Sequence, residues 1–367
     1  MKLPQQKIGI LSMQRVVNFG SVLQAYSLRS LISQIIGAPV CFVDIDEHRS
    51  CPSMKSVKES VDYETPVSYP PGLLQRAKRW LIARGSAYNK KLIRRFMEQE
   101  LRLEDTAACD CTHVVIGSDE VFNHRNERVC FQLHGDVAPD VKVITYAASC
   151  GNAKAQDIPE EHLRSIREAM GKIQSMSVRD SATEAYVNEL CGTQIQRHLD
   201  PVLVGDLRFR QHRAVPLKKY LVVYAYGHRI RSREEIDAIQ SFAHKRGLKT
   251  VALGGSQFWT DLYVPASPFR MLDYFYFADY VVTDTFHGAI FSVINKRPFA
   301  VLPRKTNHAK LTGLLEDLGL SDRMTTSAAD LESVLDTAVD YESVEDILIL
   351  QRQRTIDYLS TNLGEKM

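Results

Sequence analysis

The sequence predicts an α/β protein of two doubly wound domains, and three observations carry that prediction. The chain has 367 residues, more than one compact core usually holds. Apolar runs of strand length alternate with longer stretches in which apolar residues recur at helical spacing. This alternation runs to about residue 205 and then restarts at Tyr220, as two blocks of parallel strands and crossover helices would.

Residues 7–13, Lys-Ile-Gly-Ile-Leu-Ser-Met, make a compact apolar run of the kind seen in buried parallel strands. A polar loop follows, and residues 20–36 then show helical spacing through Val22, Leu23, Tyr26, Leu28, Leu31 and Ile35. Residues 40–45 form a second strand and complete a βαβ unit. Asn18 and Ser21 therefore sit at a strand-to-helix junction, where an α/β sheet binds ligands. They are equally good helix caps. Residues 49–71, rich in Ser, Pro and charge, read as a mobile excursion. Residues 73–103 are helical and strongly basic, with Arg76, Arg79, Arg84, Lys91 and Arg94 interleaved with Trp80, Leu81, Ile82, Tyr88 and Phe96. A basic amphipathic helix with a Trp can rest on an anionic membrane surface, or it is a helix with a solvated face.

Residues 113–116 form a strand that ends in Gly117-Ser118-Asp119-Glu120, placing small residues and carboxylates on the carboxyl rim of the sheet. Asp and Ser are also ordinary turn residues. A strand at 141–148, a helix at 158–173, a strand at 174–178 and a helix to about Leu190 follow. Arg179 stands at the start of that helix, able to clamp a carboxylate or phosphate, or to pair with Asp180 or a sheet-edge carboxylate. Residues 198–204 read as a crossover. The second block has strands at 220–226, 248–253, 280–282 and 299–302, and helices at 232–246, 271–277, 286–295 and 311–318, with a helical tail at 344–363. Domains are thus expected at 1–205, with a basic helical insertion at about 72–103, and at 206–343, with residues 344–367 packing back on the first.

Thr283-Asp284-Thr285-Phe286-His287-Gly288 lies between the strand at 280–282 and its helix. A helix starting at the carboxyl end of a parallel strand offers unpaired N–H groups and the positive end of its dipole, an anion site. His287 falls in that first turn. The alternative is that Asp284 or Thr285 caps the helix and His287 only packs.

Composition narrows the class. The net charge of +2 balances 46 basic against 44 acidic groups, which argues against bulk attraction to nucleic acid. The seven cysteines are odd in number and scattered, as suits reduced thiols in a cytoplasm, and Cys109-Asp110-Cys111 lacks the second pair a zinc site needs. No metal constellation is visible. Residues 1–7 carry no apolar signal core and no run is long enough to span a membrane, so the expected location is cytoplasmic, or the inner face of the membrane. No Gly-x-Gly-x-x-Gly follows the opening strand, against a nicotinamide dehydrogenase.

Several stretches, in this order, resemble one family, the polysaccharide pyruvyl transferases. They are Asn18-Phe19-Gly20-Ser21 with Leu23-Gln24-Ala25, Val115-Ile116-Gly117-Ser118-Asp119-Glu120-Val121-Phe122-Asn123, Tyr146-Ala147-Ala148-Ser149, Ser177-Val178-Arg179-Asp180, Leu199-Asp200-Pro201, and Val282-Thr283-Asp284-Thr285-Phe286-His287-Gly288 with Phe291-Ser292. The chain departs from the family pattern at Ser21, Glu120, Phe122 and Asp284-Thr285. An Arg often found after the last strand is replaced near Asn307, leaving Lys310 or Arg304 to serve. The resemblance implies a glycosyltransferase B-type fold, two Rossmann-like domains facing a cleft. It also implies transfer of a pyruvyl group from phosphoenolpyruvate to two hydroxyls of a sugar, in a polysaccharide or its lipid-linked precursor, giving a cyclic ketal and phosphate. No cofactor is implied beyond the donor substrate. On that reading His287 contacts the phosphate and acts as the acid, Arg179 holds the carboxylate or phosphate, and Asp119 or Glu120 handles the sugar hydroxyl. Asn18, Ser21, Gln24, Ser118, Asp284, Thr285, Gly288, Arg304 and Lys310 are the expected substrate contacts. A nucleotide-sugar glycosyltransferase of the same fold and a non-catalytic sugar-binding protein are the alternatives.

Overall fold

The apolar runs pair into two sheets, and every strand pair in both is parallel. The computed structural model describes residues 6–45, 73–103, 107–125, 131–192, 194–227 and 229–364. In chain order the strands are β1 (Ile8–Leu11), β2 (Val40–Phe42), β3 (His113–Asp119), β4 (Lys142–Ala148), β5 (Met176–Val178), β6 (Ile195–Arg197), β7 (Tyr220–Ala225), β8 (Lys249–Gly254), β9 (Leu262–Tyr263), β10 (Tyr280–Thr283) and β11 (Phe299–Val301). The α-helices are α1 (Phe19–Ile36), α2 (Leu73–Phe96), α3 (Glu160–Met170), α4 (Ser181–Cys191), α5 (Pro201–Val204), α6 (Arg233–Lys245), α7 (Pro268–Tyr276), α8 (Phe286–Ile294), α9 (His308–Asp317), α10 (Leu331–Asp336) and α11 (Tyr341–Leu363).

The chain divides into two compact units. The first draws its described residues from Met1–Glu59, Met97–Arg208 and Asp346–Met367. Its six-stranded sheet has the order β2-β1-β3-β4-β5-β6, so the winding reverses between β1 and β3. The central strands are buried along most of their length, and Ile116, Phe122, Leu133, Val143, Ile166 and Val178 belong to one apolar cluster against them. Each such side chain contributes about 1.5–3 kcal/mol relative to exposure. From α11, Tyr358 donates its hydroxyl to the carbonyls of Thr145 and Ser175 at 2.8 and 3.1 Å.

The second unit draws its described residues from Ser60–Phe96 and Phe209–Glu345. Its five-stranded sheet has the order β11-β10-β7-β8-β9, and the winding reverses between β7 and β10. Leu221, Val223, Ile239, Phe242 and Val282 share its core.

The structure departs from expectation in several places. Strand β3 runs through Asp119 instead of ending at Ile116, because Gly117 and Asp119 keep register with Tyr146 and Ala148 of β4. Gly117, at φ 123°, permits this: a Cβ there would lie 2.2 Å from the Tyr146 carbonyl oxygen. The Gly117–Ser118 peptide is cis. Strands β6 and β9 and helix α10 are too short to show a period, so the sequence does not announce them.

The sequence places helix α2 as an insertion of the first domain, yet it packs in the second unit. Its buried side chains decide this. Ile82, Ile93 and Phe96 are 6%, 3% and 5% exposed. Phe96 meets Phe269 edge to face at 4.9 Å, and Asn89 accepts from the Ala266 N–H at 3.0 Å. The chain then passes through a π-helical turn, Met97–Leu101, into the first unit, where Arg29 donates to the Leu101 carbonyl at 2.7 Å. The expected excursion at 49–71 lies outside the described residues.

Candidate functional site

In parallel sheets all strands end on one rim, and ligands bind where the winding reverses. Each unit has such a point, and the predicted residues gather at both.

In the first unit the point lies between β1 and β3. Asn18 caps α1, its side-chain oxygen accepting from the Gly20 N–H at 2.8 Å. Ser21, in the first turn, donates to Asp119 at 2.6 Å. Gln24, fully buried, donates to the Ser12 hydroxyl at 2.9 Å and the Ser21 carbonyl at 3.0 Å. Ser12 in turn donates to the Ser118 carbonyl at 2.9 Å. The Ser118 hydroxyl turns inward to the Ala147 carbonyl at 3.0 Å, so this side chain braces β3 against β4. Asn18, Ser21, Gln24, Ser118 and Asp119 are thus joined to one rim. Glu120 follows, accepting from Asn123 at 2.8 Å.

Arg179 is buried in the same unit, at the end of β5. It donates to Asp200 at 3.1 Å and lies 4.0 Å from Asp180. Both carboxylates are also helix caps: Asp180 accepts from the Thr183 N–H at 2.8 Å, and Asp200 from the Val202 N–H at 3.0 Å. Burial works against the guanidinium charge, but Asp200, Asp119, Asp180 and Glu120 outweigh it and hold the pKa above its usual value. The sheet-edge partner that the sequence allows for Arg179 is therefore Asp200. Removing one member of a buried pair of this kind costs about 3–5 kcal/mol, because the other charge is stranded.

In the second unit the point lies between β7 and β10. Thr285 caps α8, its hydroxyl accepting from the Gly288 N–H at 2.9 Å. Gly288 has no room for a side chain, since a Cβ would fall 2.0 Å from the Thr283 hydroxyl. His287 is half-buried in the first turn, its ring set between Phe286 and Phe291 at centroid distances of 5.5 and 6.0 Å. Asp284, just before the helix, is fully buried. Arg229, in the loop after β7, approaches it to 3.3 Å, and Arg304, after β11, to 3.6 Å. Burial raises the Asp284 pKa to about 6, with both arginines pulling the other way.

Arg304 also holds Glu235 of α6 through two bonds, at 2.8 and 3.0 Å, and Arg229 donates to the Thr306 hydroxyl at 2.7 Å. Asn307 donates to the Asp284 carbonyl at 2.7 Å and accepts from the Arg304 N–H at 2.8 Å, which ties the loop after β11 to the start of α8. Lys310 lies half-buried in the first turn of α9, just beyond Asn307.

Arg229 and Glu235 are functional candidates that the sequence alone does not single out. A cation shortly after the strand at 220–226 is a visible signal. What makes it matter is that β7 neighbours β10, which only the sheet order reveals.

The family profile described as polysaccharide pyruvyl transferase matches residues 18–306, well over half of the chain. The chain belongs to the polysaccharide pyruvyl transferase family. Membership implies a transferase acting on polysaccharides, and the starts of α1 and α8, one on each rim, lie within the matched span. No curated protein matches the chain.

Among solved structures, the UDP-bound MnaA of S. aureus is similar, at 11% identity and a TM-score of 0.52, covering 99% of each chain. The Arabidopsis thaliana UGT89C1 complex with quercetin matches at 12% identity and a TM-score of 0.48, covering 98% of this chain and 100% of the other. The first likeness shows the fold: two Rossmann-like units, as in the glycosyltransferase B type.

Proposed function

We propose that the protein transfers the pyruvyl group of phosphoenolpyruvate onto two hydroxyls of one sugar, in a polysaccharide or its lipid-linked precursor. The family match over residues 18–306 is the observation that carries this reading. The β7/β10 rim supports it for the donor. Phosphoenolpyruvate carries a phosphate and a carboxylate close together, and that rim holds a helix N-terminus, His287 and the guanidinium groups of Arg229 and Arg304.

In the proposed reaction a proton is delivered to the methylene carbon, which becomes the methyl group. One sugar oxygen attacks the adjacent carbon, and the second sugar oxygen attacks the same carbon as phosphate departs. The two hydroxyl protons leave to a base or to the phosphate. His287 contacts the phosphate and supplies the acid, and Arg229 joins the anion contacts. Arg304 and Lys310 are further cations for the donor, while Asp284, Thr285 and Gly288 shape the helix start. In the first unit Arg179 supplies positive charge toward the carboxylate or phosphate. Asp119 or Glu120 takes the hydroxyl proton, with Asn18, Ser21, Gln24 and Ser118 forming the rim that receives the sugar. No cofactor is part of this scheme.

The test is phosphate release from phosphoenolpyruvate by the purified protein, with galactose- and mannose-containing acceptors, lipid-linked ones included. Acceptor-dependent release that falls by about a hundredfold or more in His287→Ala is expected for loss of an acid group. Binding of a nucleoside diphosphate sugar with no binding of phosphoenolpyruvate would replace this reading with a glycosyltransferase one.

A further inference from the structure

Helix α2 has no part in either rim, yet its composition is one-sided. Between Leu73 and Phe96 it holds no acidic residue; the first, Glu98, comes after the helix ends. Its apolar side chains Ile82, Ile93 and Phe96 are spent on packing inside the second unit. At 100° per residue these fall on one arc, and the opposite arc faces solvent. That outer arc carries Arg76, Arg84, Lys91, Arg94 and Arg95, all exposed.

Charge alone describes a solvated face. The outer arc also carries Trp80, Leu81 and Tyr88, which are 57%, 61% and 54% exposed. Arg84 lies over the Trp80 ring at 4.6 Å, keeping cation and aromatic side by side at the surface. The intervening exposed positions Ala77, Ala83 and Ala87 are small, so the large side chains stand clear of their neighbours. Below the arc, Lys78 donates to the Thr260 carbonyl at 2.7 Å and Arg79 sits 5.4 Å from the Phe258 ring, which anchors the helix to its unit.

We propose that the outer face of α2 docks on the surface of an anionic lipid bilayer, its cations meeting the headgroups and Trp80, Leu81 and Tyr88 entering the interface. A soluble polyanion would satisfy the cations but leave these three side chains in water, which is why the bilayer is the better occupant. Each Lys or Arg near an anionic leaflet contributes about a fivefold factor in binding, so five make a cooperative contact that salt weakens steeply. No described helix is long and apolar enough to cross a membrane, so this contact is peripheral. The corollary, that the sugar acceptor is carried on a lipid, rests on the pyruvyl-transfer reading; the docking itself does not.

The test uses the full chain and vesicles of phosphatidylcholine with or without phosphatidylglycerol, read by flotation. Binding is expected only with phosphatidylglycerol, lost at high salt, and weakened by about a hundredfold in Arg84→Glu/Lys91→Glu/Arg94→Glu. In a Trp259→Phe background, which leaves Trp80 as the sole Trp, its emission should shift to the blue on binding. Circular dichroism of each variant reports that it is folded. No flotation of the wild type, or flotation unchanged by the charge reversal, would overturn the proposal. So would equal binding to heparin and vesicles without the Trp80 shift, which marks a polyanion site instead. Because no arm involves phosphoenolpyruvate, failure here leaves the reaction assignment untouched, and failure of turnover leaves the docking result standing.

Discussion

Asp284 shows how much one residue can carry. It is fully buried between Arg229 and Arg304, and its carboxyl titrates near 6 instead of 3.8. A carboxyl with a raised folded pKa binds its proton more tightly when folded, so its contribution is fully present below the unfolded pKa. It is lost as pH rises through the folded one. Between pH 4 and 7 this amounts to about 2 kcal/mol, most of what a shift of about two units supplies. Asp284→Asn removes that dependence. The difference in unfolding free energy between variant and wild type, measured by urea titration, should move in the variant's favour by about that much from pH 4 to pH 7. A difference constant with pH would mean that the arginines hold the carboxylate ionised throughout.

At the scale of the element, the start of α8 is built from contacts local in sequence. The Thr285 hydroxyl caps the Gly288 N–H, and the Thr283 hydroxyl fills the space where a side chain at 288 would go. Gly288→Ala should therefore destabilise the protein by about 1–3 kcal/mol, the usual cost of forcing atoms into a packed region. Gly313 in α9 is the contrasting case: beyond its chain neighbours and the backbone of its own helix, nothing lies within 4 Å of where its Cβ would stand. Gly313→Ala should stabilise by about 0.5–1 kcal/mol through helix propensity. Thermal melts of the two variants should shift in opposite directions; a shift the same way for both would contradict this account. Local contacts of this kind are legible in the sequence, because capping and turn chemistry act over a few residues. Thr285 at the cap and His287 in the first turn stand where the sequence places them. The Arg179 partner is only half legible: the residue type follows from the need for a buried counter-charge, but Asp200 lies beyond another strand and helix.

For the molecule as a whole, the chain enters the second unit, leaves it and returns. Helix α2 closes part of that unit's surface, with Phe96 on Phe269 and Asn89 on the Ala266 N–H. A fragment of residues 209–345 should expose Phe269 and fail to unfold cooperatively. The same fragment carrying residues 73–96 through a flexible linker should recover a cooperative transition, seen by circular dichroism. A sharp transition in the short fragment would show that α2 is dispensable for the core.

The sequence by itself determined the α/β class, the two blocks, most helices and strands, and the helix starts that carry Asn18, Asp180 and Thr285. These follow from periodicity and capping, which act within a few residues. The tertiary structure alone decided the strand orders, and with them that Arg229 and Arg304 meet at Asp284. It also decided that α2 belongs to the second unit, since its apolar stripe is the same whichever core it covers. Strand order and helix placement depend on which apolar surfaces bury each other best across the whole chain, and no local pattern encodes that choice.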